Sequence, residues 1–499
     1  MWFICNINYN DRLNLNTVFS KLFSTALLLF LFLTIVINAQ INPKYTYQNL
    51  SAKYYKLQAD SLKKNVKAAD KYTKATQKKY EEIWNERITN IYKGINSNNY
   101  VFSCEINIYL NRIISEIVAK NKQYISSDIL LLLDRSAEIN AYTSGLNIIS
   151  VNSGLLEFVN SREELAFILA HEMAHNYLLH ADHAIEKSAE WLTSDEYTAS
   201  LKDIHNAKYE KFSLLKKMAQ TYSFDRKRHS RLNESSADSF AVVLLKNANM
   251  PFDAKWLLRL DSADAHYKKQ LKREIPAYFQ DNGIVINPSL LVKKSKGLST
   301  RNYNFKDTSS TTIQDSLKTH PDCIHRYEVT KKWDTKNFVE HSIPTSIVNE
   351  AKKIIIFDLF NDSNLTACIY RIFLDKDNGI NDPWYDFILH NIFFGLWYAT
   401  NDLNRFNVIK IKPKEYISKS YYEVQTMLEQ MSAEEIEKIY SDLSKGSFWQ
   451  QMPADALAVK GLMENINVSK KQKNLTGSAK DYIKNYPNSI YCEFANNFK

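Results

Sequence analysis

Glycine and proline are scarce in this chain, with 10 of each among its 499 residues. Each makes up about 2% of the sequence, well below the usual ~7% and ~5%. Because both residues end helices and form tight turns, their scarcity argues against a turn-rich all-β fold and favours long helices. Apolar residues make up 45% and aromatic residues 13% of the chain, which is typical of a globular protein and excludes a largely disordered one.

Cysteine is also rare, and the five cysteines form no paired motif. They are widely separated along the chain, at Cys5, Cys104, Cys323, Cys368 and Cys492. The lack of a Cys-x-x-Cys pair argues against a cysteine zinc site or a redox motif, and there is no dense disulfide framework. One or two disulfide bonds remain open, without an assignable pairing.

Long apolar runs are absent except near the N-terminus. The run LFSTALLLFLFLTIVI, Leu22–Ile37, has 16 residues and is shorter than the ~20 that a spanning helix needs. Ala39 follows as a small residue suited to cleavage, so we predict a signal peptide over residues 1–39 and an exported protein, periplasmic or secreted. An uncleaved membrane anchor is the alternative. The later run Phe387–Ala399 is too short to span and is interrupted by polar residues.

Positive charge is concentrated after this leader. The net charge is +9, and residues 44–100 hold 12 Lys/Arg against 5 Asp/Glu, which gives +7. Such a segment can contact an acidic membrane surface or nucleic acid. We favour a solvated helix face and expect no nucleic-acid partner. Membrane contact through this N-terminal region stays open.

Hydrophobic periodicity divides the rest of the chain into helical regions around two strands. Phe102–Asn121 has the pattern of an amphipathic helix, and the short apolar runs Asp128–Leu133 and Leu146–Val151 have that of buried strands. The pattern is helical from Ser161 onward. We predict four parts, namely the signal peptide over 1–39, a basic helical region over 40–100, a domain over 101–341 and a helical C-terminal domain over 342–499. Residues 479–497 weakly suggest a helix-turn-helix, tetratricopeptide-like repeat.

The pentapeptide HEMAH, residues 171–175, indicates a metal site. Ser161 and Glu164 have the spacing of a capping box and predict where its helix begins. On that helix His171 and His175 leave the same face one turn apart, and two such nitrogens can bind one zinc ion. Glu172 lies beside the first histidine, where its carboxylate can face a metal-bound water. The alternative is a chance pattern on an exposed amphipathic helix.

A downstream helix, LNESSADSFAVVLL, offers a third ligand. Glu234 and Asp238 are again one turn apart, and the apolar residues around them indicate that this helix is mostly buried. A buried carboxylate needs a cation or a metal beside it. His171, His175 and Glu234 then form a site of two histidines and one carboxylate. Asp238 is placed to accept the free ring N–H of a ligand histidine.

The chain resembles the gluzincin zinc metallopeptidases that include HtpX, BepA and the CaaX-prenyl endopeptidases. The resemblance covers roughly residues 129–327 and rests on four blocks in order. They are NAYTSGLNIISVNSGLL from Asn140, ELAFILAHEMAHNYLLH from Glu164, ESSAD from Glu234 and THPDCIHR from Thr319. Two departures are Ser144-Gly145, where many members have paired glycines, and a long charged insertion between His180 and Glu234.

The resemblance implies a role for each matching residue. His171, His175 and Glu234 would bind one zinc ion per chain, and Glu172 would be the general base and then the proton donor. Asn140, on an edge strand, would help hold the substrate backbone. For the fourth block, His320 and Arg326 would meet the scissile carbonyl or its oxyanion. His320 could instead occupy the open metal position and inhibit the enzyme.

The fold we expect is mainly α with a small β-sheet (α+β), a gluzincin-type peptidase domain followed by helices. By analogy with the family, the protein would be an exported zinc endopeptidase for protein quality control, acting on extended or misfolded envelope proteins. Its C-terminal helices would recruit substrate or an envelope protein partner. The rival hypothesis is a non-catalytic zinc-containing chaperone or assembly factor, against which the intact Glu172 argues.

Overall fold

A computed structural model describes residues 60–64, 66–97, 99–102, 105–125, 129–260, 267–292, 323–472 and 478–498. The predicted signal peptide over 1–39 and the predicted site residue His320 lie outside these ranges. Among the residues that are described, no helix is both long and apolar enough to cross a membrane.

A four-stranded sheet forms the β part of the fold. Its strands in chain order are β1 (Tyr100–Val101), β2 (Leu130–Asp134), β3 (Ala141–Gly145) and β4 (Ile148–Asn152). In space the order is β1-β2-β4-β3, with β2 and β4 parallel and the outer pairs antiparallel. β3 therefore pairs only with β4 in this sheet and leaves its other side as an edge.

The two strands that apolar runs predicted are present, each shifted by about two residues. Their side chains are buried on both faces, as expected of central strands in a covered sheet. β3 follows a different rule, because its AYTSG sequence is polar and small. A tight turn of three positive-φ residues, Gly145, Leu146 and Asn147, joins it to β4. A Cβ at Gly145 would lie 2.5 Å from the Trp84 ring, so glycine is required there.

Helices account for most of the other residues that the structure describes, which confirms the predicted α+β class. The helices up to residue 330 are α1 (Lys74–Asn96), α2 (Glu105–Lys120), α3 (Ser153–Phe158), α4 (Arg162–Tyr177), α5 (His180–Leu192), α6 (Asp195–Asn206), α7 (Lys211–Asn247), α8 (Lys255–Leu260), α9 (Ile275–Gln280) and α10 (Cys323–Thr330). α4 packs against α7 on one side and against β3 on another. This packing brings two long helices and the sheet edge together.

The C-terminal part continues as helices packed on the same hydrophobic core. They are α11 (Thr345–Asn361), α12 (Leu365–Asp377), α13 (Pro383–Asn401), α14 (Arg405–Ile409), α15 (Lys419–Gln430), α16 (Ala433–Leu443), α17 (Ala454–Gln472), α18 (Ser478–Asn485) and α19 (Cys492–Asn496). One cluster of buried side chains runs from α2 through to α19. The boundary at 341/342 and the tetratricopeptide-like repeat stay predictions.

A buried ion network joins the sheet to the end of the chain. Arg135, directly after β2, donates to both carboxylate oxygens of Glu493 in α19 at 2.8 and 3.0 Å. Its Nε also lies 3.1 Å from the carboxylate of Asp358 in α11. Arg135 is only 5% exposed, so this guanidinium depends on carboxylates that the C-terminal helices supply.

α1 lies in the predicted basic region and packs on α5. Trp84 and Ile88 of α1 form a second, smaller core with Ile185 and Ala189 of α5. At the hairpin end of β3, an Arg87 guanidinium N–H donates to the Ser144 carbonyl at 3.2 Å. The hairpin tip is therefore held between α1 and α5.

Candidate metal centre

The helix that carries HEMAH begins where the sequence predicts. Ser161 adopts an extended backbone, and its hydroxyl accepts a hydrogen bond from the Glu164 N–H at 3.2 Å. The reciprocal half of the capping box is missing, because the Glu164 carboxylate accepts from the Asn160 N–H at 2.8 Å and pairs with Arg259 instead. This cap still fixes the register of α4 and so the direction in which its histidines point.

Three predicted ligands converge between α4 and α7. Nε2 of His171 lies 3.0 Å from Nε2 of His175. The two Glu234 carboxylate oxygens lie 3.3 Å from Nε2 of His171 and 3.4 Å from Nε2 of His175. His171 and Glu234 come from different helices, so the packing of α4 on α7 builds this cluster.

The cluster has the dimensions of a zinc site. Tetrahedral zinc with bonds of ~2.0–2.1 Å places its ligand atoms roughly 3.3 Å apart, and the three separations here are 3.0, 3.3 and 3.4 Å. Two imidazoles and one carboxylate are also the donor set of catalytic zinc sites that leave a fourth position open. The residues present therefore fit a metal ion, and His171, His175 and Glu234 are those that can hold it.

Asp238 contacts one of the three ligands, His171, from the side of the ring opposite the cluster. Its carboxylate is fully buried and lies 2.9 Å from Nδ1 of His171. It also accepts two hydrogen bonds from the Arg326 guanidinium of α10, each 2.7 Å long. Arg326 reaches Glu234 as well, at 3.2 Å. The guanidinium thus contacts two carboxylates and compensates one of their two negative charges, while Asp238 holds the ring of His171 so that Nε2 faces the cluster.

The pKa values in the cluster reflect the two carboxylates, Glu234 and Asp238, that lie beside a single guanidinium. Burial lowers the pKa of His171, but its close contacts with the carboxylates of Asp238 and Glu234 outweigh burial and raise that pKa to about 10. Burial raises the pKa of Glu234, yet hydrogen bonds from both histidines hold it well below its usual value. Asp238 follows the same rule, because Arg326 outweighs burial and lowers its pKa. The cluster is built to hold positive charge.

Glu172 faces a cleft beside these ligands. The cleft has a volume of about 260 Å³, and its polar wall includes the cluster and residues 140–143 at the sheet edge. Burial raises the pKa of Glu172, while His171, His175 and a hydrogen bond from the Thr143 backbone lower it. A carboxylate with a raised pKa next to a metal site is suited to taking up and returning a proton.

His180, at the start of α5, contacts the second histidine. Nδ1 of His180 lies 2.8 Å from Nδ1 of His175, and its Nε2 lies 3.3 Å from the Ser236 hydroxyl. Burial and the neighbouring His175 lower the pKa of His180 to about 4, so its ring is neutral at pH 7. A neutral His180 can accept the Nδ1–H of His175, which leaves Nε2 of His175 free to bind metal.

The remaining predicted residues occupy different positions. Asn140 and Arg326 both line the cleft, although the Arg326 guanidinium is bonded to Asp238 and Glu234. Their predicted contacts with a substrate backbone or oxyanion stay predictions, as does the role of His320, which lies outside the described residues. Pattern reasoning missed Thr143 and the apolar wall residues Leu155, Phe167 and Leu260, because nothing in their local sequence marks them.

Two histidines one turn apart, a glutamate between them and a carboxylate from a second helix define the site of a metal-dependent peptidase. A family model agrees, since that of peptidase family M48 matches residues 106–334. This match, over somewhat less than half of the chain, confirms the resemblance found in the four sequence blocks and indicates that the protein is a zinc metallopeptidase. A search of curated proteins finds no match to the chain.

Proposed function

We propose that the protein is an exported endopeptidase that uses one zinc ion per chain to hydrolyse peptide bonds in extended or misfolded envelope proteins. The observation that carries this proposal is the convergence of His171, His175 and Glu234 at the floor of a cleft that also holds Glu172. The proposal of an exported location is supported by the apolar run over residues 22–37 and by the small residue that follows it.

The three ligands would hold zinc through Nε2 of His171, Nε2 of His175 and a carboxylate oxygen of Glu234. Zinc in such a site polarises a carbonyl and lowers the pKa of a bound water towards ~7. Glu172 would take the proton from the attacking water and return it to the leaving amine. Its burial in the cleft wall limits exchange of that proton with bulk solvent.

The substrate would lie along β3 as an added strand. β3 has an edge that no described strand occupies, and residues 140–143 of this edge line the cleft. Main-chain pairing of this kind needs an extended peptide and is tolerant of side-chain identity. Such recognition suits misfolded polypeptides, which expose backbone groups that folded proteins keep paired. Asn140 would hold the substrate backbone at the start of β3.

His320 would act on the substrate carbonyl from the segment before α10. The oxyanion role predicts that His320→Ala loses roughly 10²–10³-fold in turnover, whereas release of an inhibitory ligand would raise basal proteolysis. Assay of this variant on unfolded casein at saturating zinc decides between the two roles. Unchanged turnover would remove His320 from the site.

The test of the proposed function is metal content combined with casein cleavage. The purified chain should contain about one zinc per molecule and should cleave casein until a chelator removes the metal. His175→Ala should lose both zinc and activity, with the exposed His205→Ala as a matched control. Full zinc occupancy in His175→Ala would refute the ligand assignment. Zinc without any casein cleavage would instead favour a chaperone or assembly factor.

A further inference from the structure

A surface far along the chain from the metal centre carries unusually exposed apolar side chains. We call it the basic-apolar surface and define it as residues 403–419, which span α14 and the start of α15. Leu403 is 96% exposed, Phe406 63%, Ile411 52% and Tyr416 57%. Single exposed apolar residues are ordinary on protein surfaces, whereas four within fourteen residues make this stretch a candidate interaction site.

The backbone of this surface is fixed rather than free. Val408, Ile409 and Ile417 are buried among its exposed residues and anchor it to the core. The Thr366 hydroxyl donates to the Ile409 carbonyl at 2.7 Å, and the Lys412 N–H donates to the Gln425 side chain at 2.9 Å. The apolar side chains therefore project from a held scaffold and do not collapse onto the fold.

Positive charge is interspersed with the projecting side chains along the sequence, although Arg405 donates to the Met431 carbonyl and Lys419 lies 3.5 Å from Glu423. The surface contains Arg405, Lys410, Lys412, Lys414 and Lys419 against the single acidic residue Glu415, which gives a net charge of +4. Lys410 and Lys414 are exposed beside Ile411. Apolar and cationic side chains thus alternate over one short stretch.

We propose that the basic-apolar surface docks on an anionic lipid bilayer. Aromatic and aliphatic side chains interspersed with lysines match the boundary between acyl chains and acidic headgroups. Exposure of 52–96% shows that these side chains protrude from the fold. Protruding side chains can enter a bilayer, whereas an extended peptide is held by a groove or a strand edge. Bilayer docking would hold the enzyme at a membrane surface whether or not the N-terminal run is cleaved, and it does not depend on the proposed peptidase function.

Hydrogen exchange of the full chain provides a local test that an N-terminal anchor does not disturb. The amides of residues 403–416 should exchange more slowly with vesicles of phosphatidylcholine containing phosphatidylglycerol than with phosphatidylcholine alone. This protection should weaken as salt is raised, because screening shortens the reach of the lysines. Equal protection by neutral vesicles, or protection confined to other segments such as the exposed α6–α7 connection, would overturn the proposal.

Charge variants give the matched control. Each lysine near an anionic surface contributes roughly fivefold to vesicle partitioning, so Lys410→Gln/Lys414→Gln should need about 25-fold more vesicles for half-maximal protection. Lys480→Gln/Lys484→Gln in α18 removes two exposed lysines at the same spacing and should have no effect. An equal effect of both pairs would show that only net charge matters and would refute the assigned surface.

Substitutions of exposed apolar residues test whether the partner of this surface is a lipid bilayer or a protein. Phe406→Ser should weaken vesicle partitioning about tenfold through lost apolar burial, whereas Val285→Ser, also strongly exposed at 80%, should not. Casein cleavage should be unchanged in both variants, which shows that the fold is intact. If residues 403–416 are protected by envelope proteins in detergent but not by anionic vesicles, the surface binds a protein and the lipid proposal is wrong.

Discussion

Replacing Asp238 by alanine removes the carboxylate that accepts two hydrogen bonds from Arg326 and lies 2.9 Å from Nδ1 of His171. Arg326 is 4% exposed and keeps a single other carboxylate, Glu234, at 3.2 Å from its Nη1. Breaking a buried ion pair by removing one partner costs about 3–5 kcal/mol. Because Glu234 still offers partial compensation, we expect the metal-free Asp238→Ala chain to lose about 3 kcal/mol of unfolding free energy.

The same substitution should weaken metal binding for a separate reason. Without Asp238, Nδ1 of His171 loses the acceptor that lies 2.9 Å away, so its ring orientation and tautomer are no longer fixed. Loss of such a partner typically costs 10–100-fold in metal affinity, which is about 1.4–2.7 kcal/mol. The two losses can be separated, because one concerns Arg326 and the other concerns His171.

A double substitution performs this separation. The double variant Asp238→Leu/Arg326→Met removes both charges of the buried ion pair, so it should recover most of the unfolding free energy that Asp238→Ala loses. Zinc affinity should stay reduced, because His171 still lacks its acceptor. Urea unfolding of the metal-free proteins and chelator competition for zinc measure the two effects, with the exposed Asp481→Ala as the control. A loss below 1 kcal/mol in Asp238→Ala, or wild-type zinc affinity in the double variant, would refute this reasoning.

Three further predictions concern single residues. Glu172→Gln should keep zinc and the fold but lose ~10²–10⁴-fold in kcat/KM on casein; wild-type turnover would show that it is not the base. His180→Ala should lower zinc affinity about tenfold in chelator competition, and His180→Gln, which retains an acceptor, should recover part of it; equal affinities in all three proteins would contradict its role. Burial and Glu105 raise the pKa of Glu350 to about 7, so its ionisation destabilises the fold: stability is full below about pH 4.5 and is lost as pH rises through 7. Glu350→Gln should therefore gain about 1–2 kcal/mol at pH 8 after allowance for its partial exposure, and little at pH 4.5; an equal gain by urea unfolding at both pH values would exclude this cause.

Local sequence patterns predicted those elements whose residues signal their own structure. The runs around Leu131–Leu133 and Ile148–Val151 are apolar enough to mark buried strands, and Ser161 marks the start of α4. β1 has only two residues and carries no pattern. β3 has polar and small residues, so its place at the sheet edge came from family resemblance and not from periodicity.

The metal cluster was predictable for a related reason, and its surroundings were not. His171, His175 and Glu234 have spacings that a helix converts directly into positions. Arg326 is 88 residues from Asp238, and no local rule tells whether its guanidinium faces a substrate or a buried carboxylate. Packing of α10 against α7 decides that question, and packing is set by contacts across the whole fold.

The ion network around Arg135 makes folding of the sheet depend on the C-terminal helices. The guanidinium beside β2 needs Glu493, which lies 358 residues later in the chain. Without α19, burying the segment after β2 would leave this positive charge without its main partner, at a cost of about 3–5 kcal/mol. Synthesis therefore delivers the metal-binding helices long before it delivers the residues that stabilise the sheet beside them. The sheet beside the metal centre is therefore complete only when the chain as far as α19 has been made and has folded.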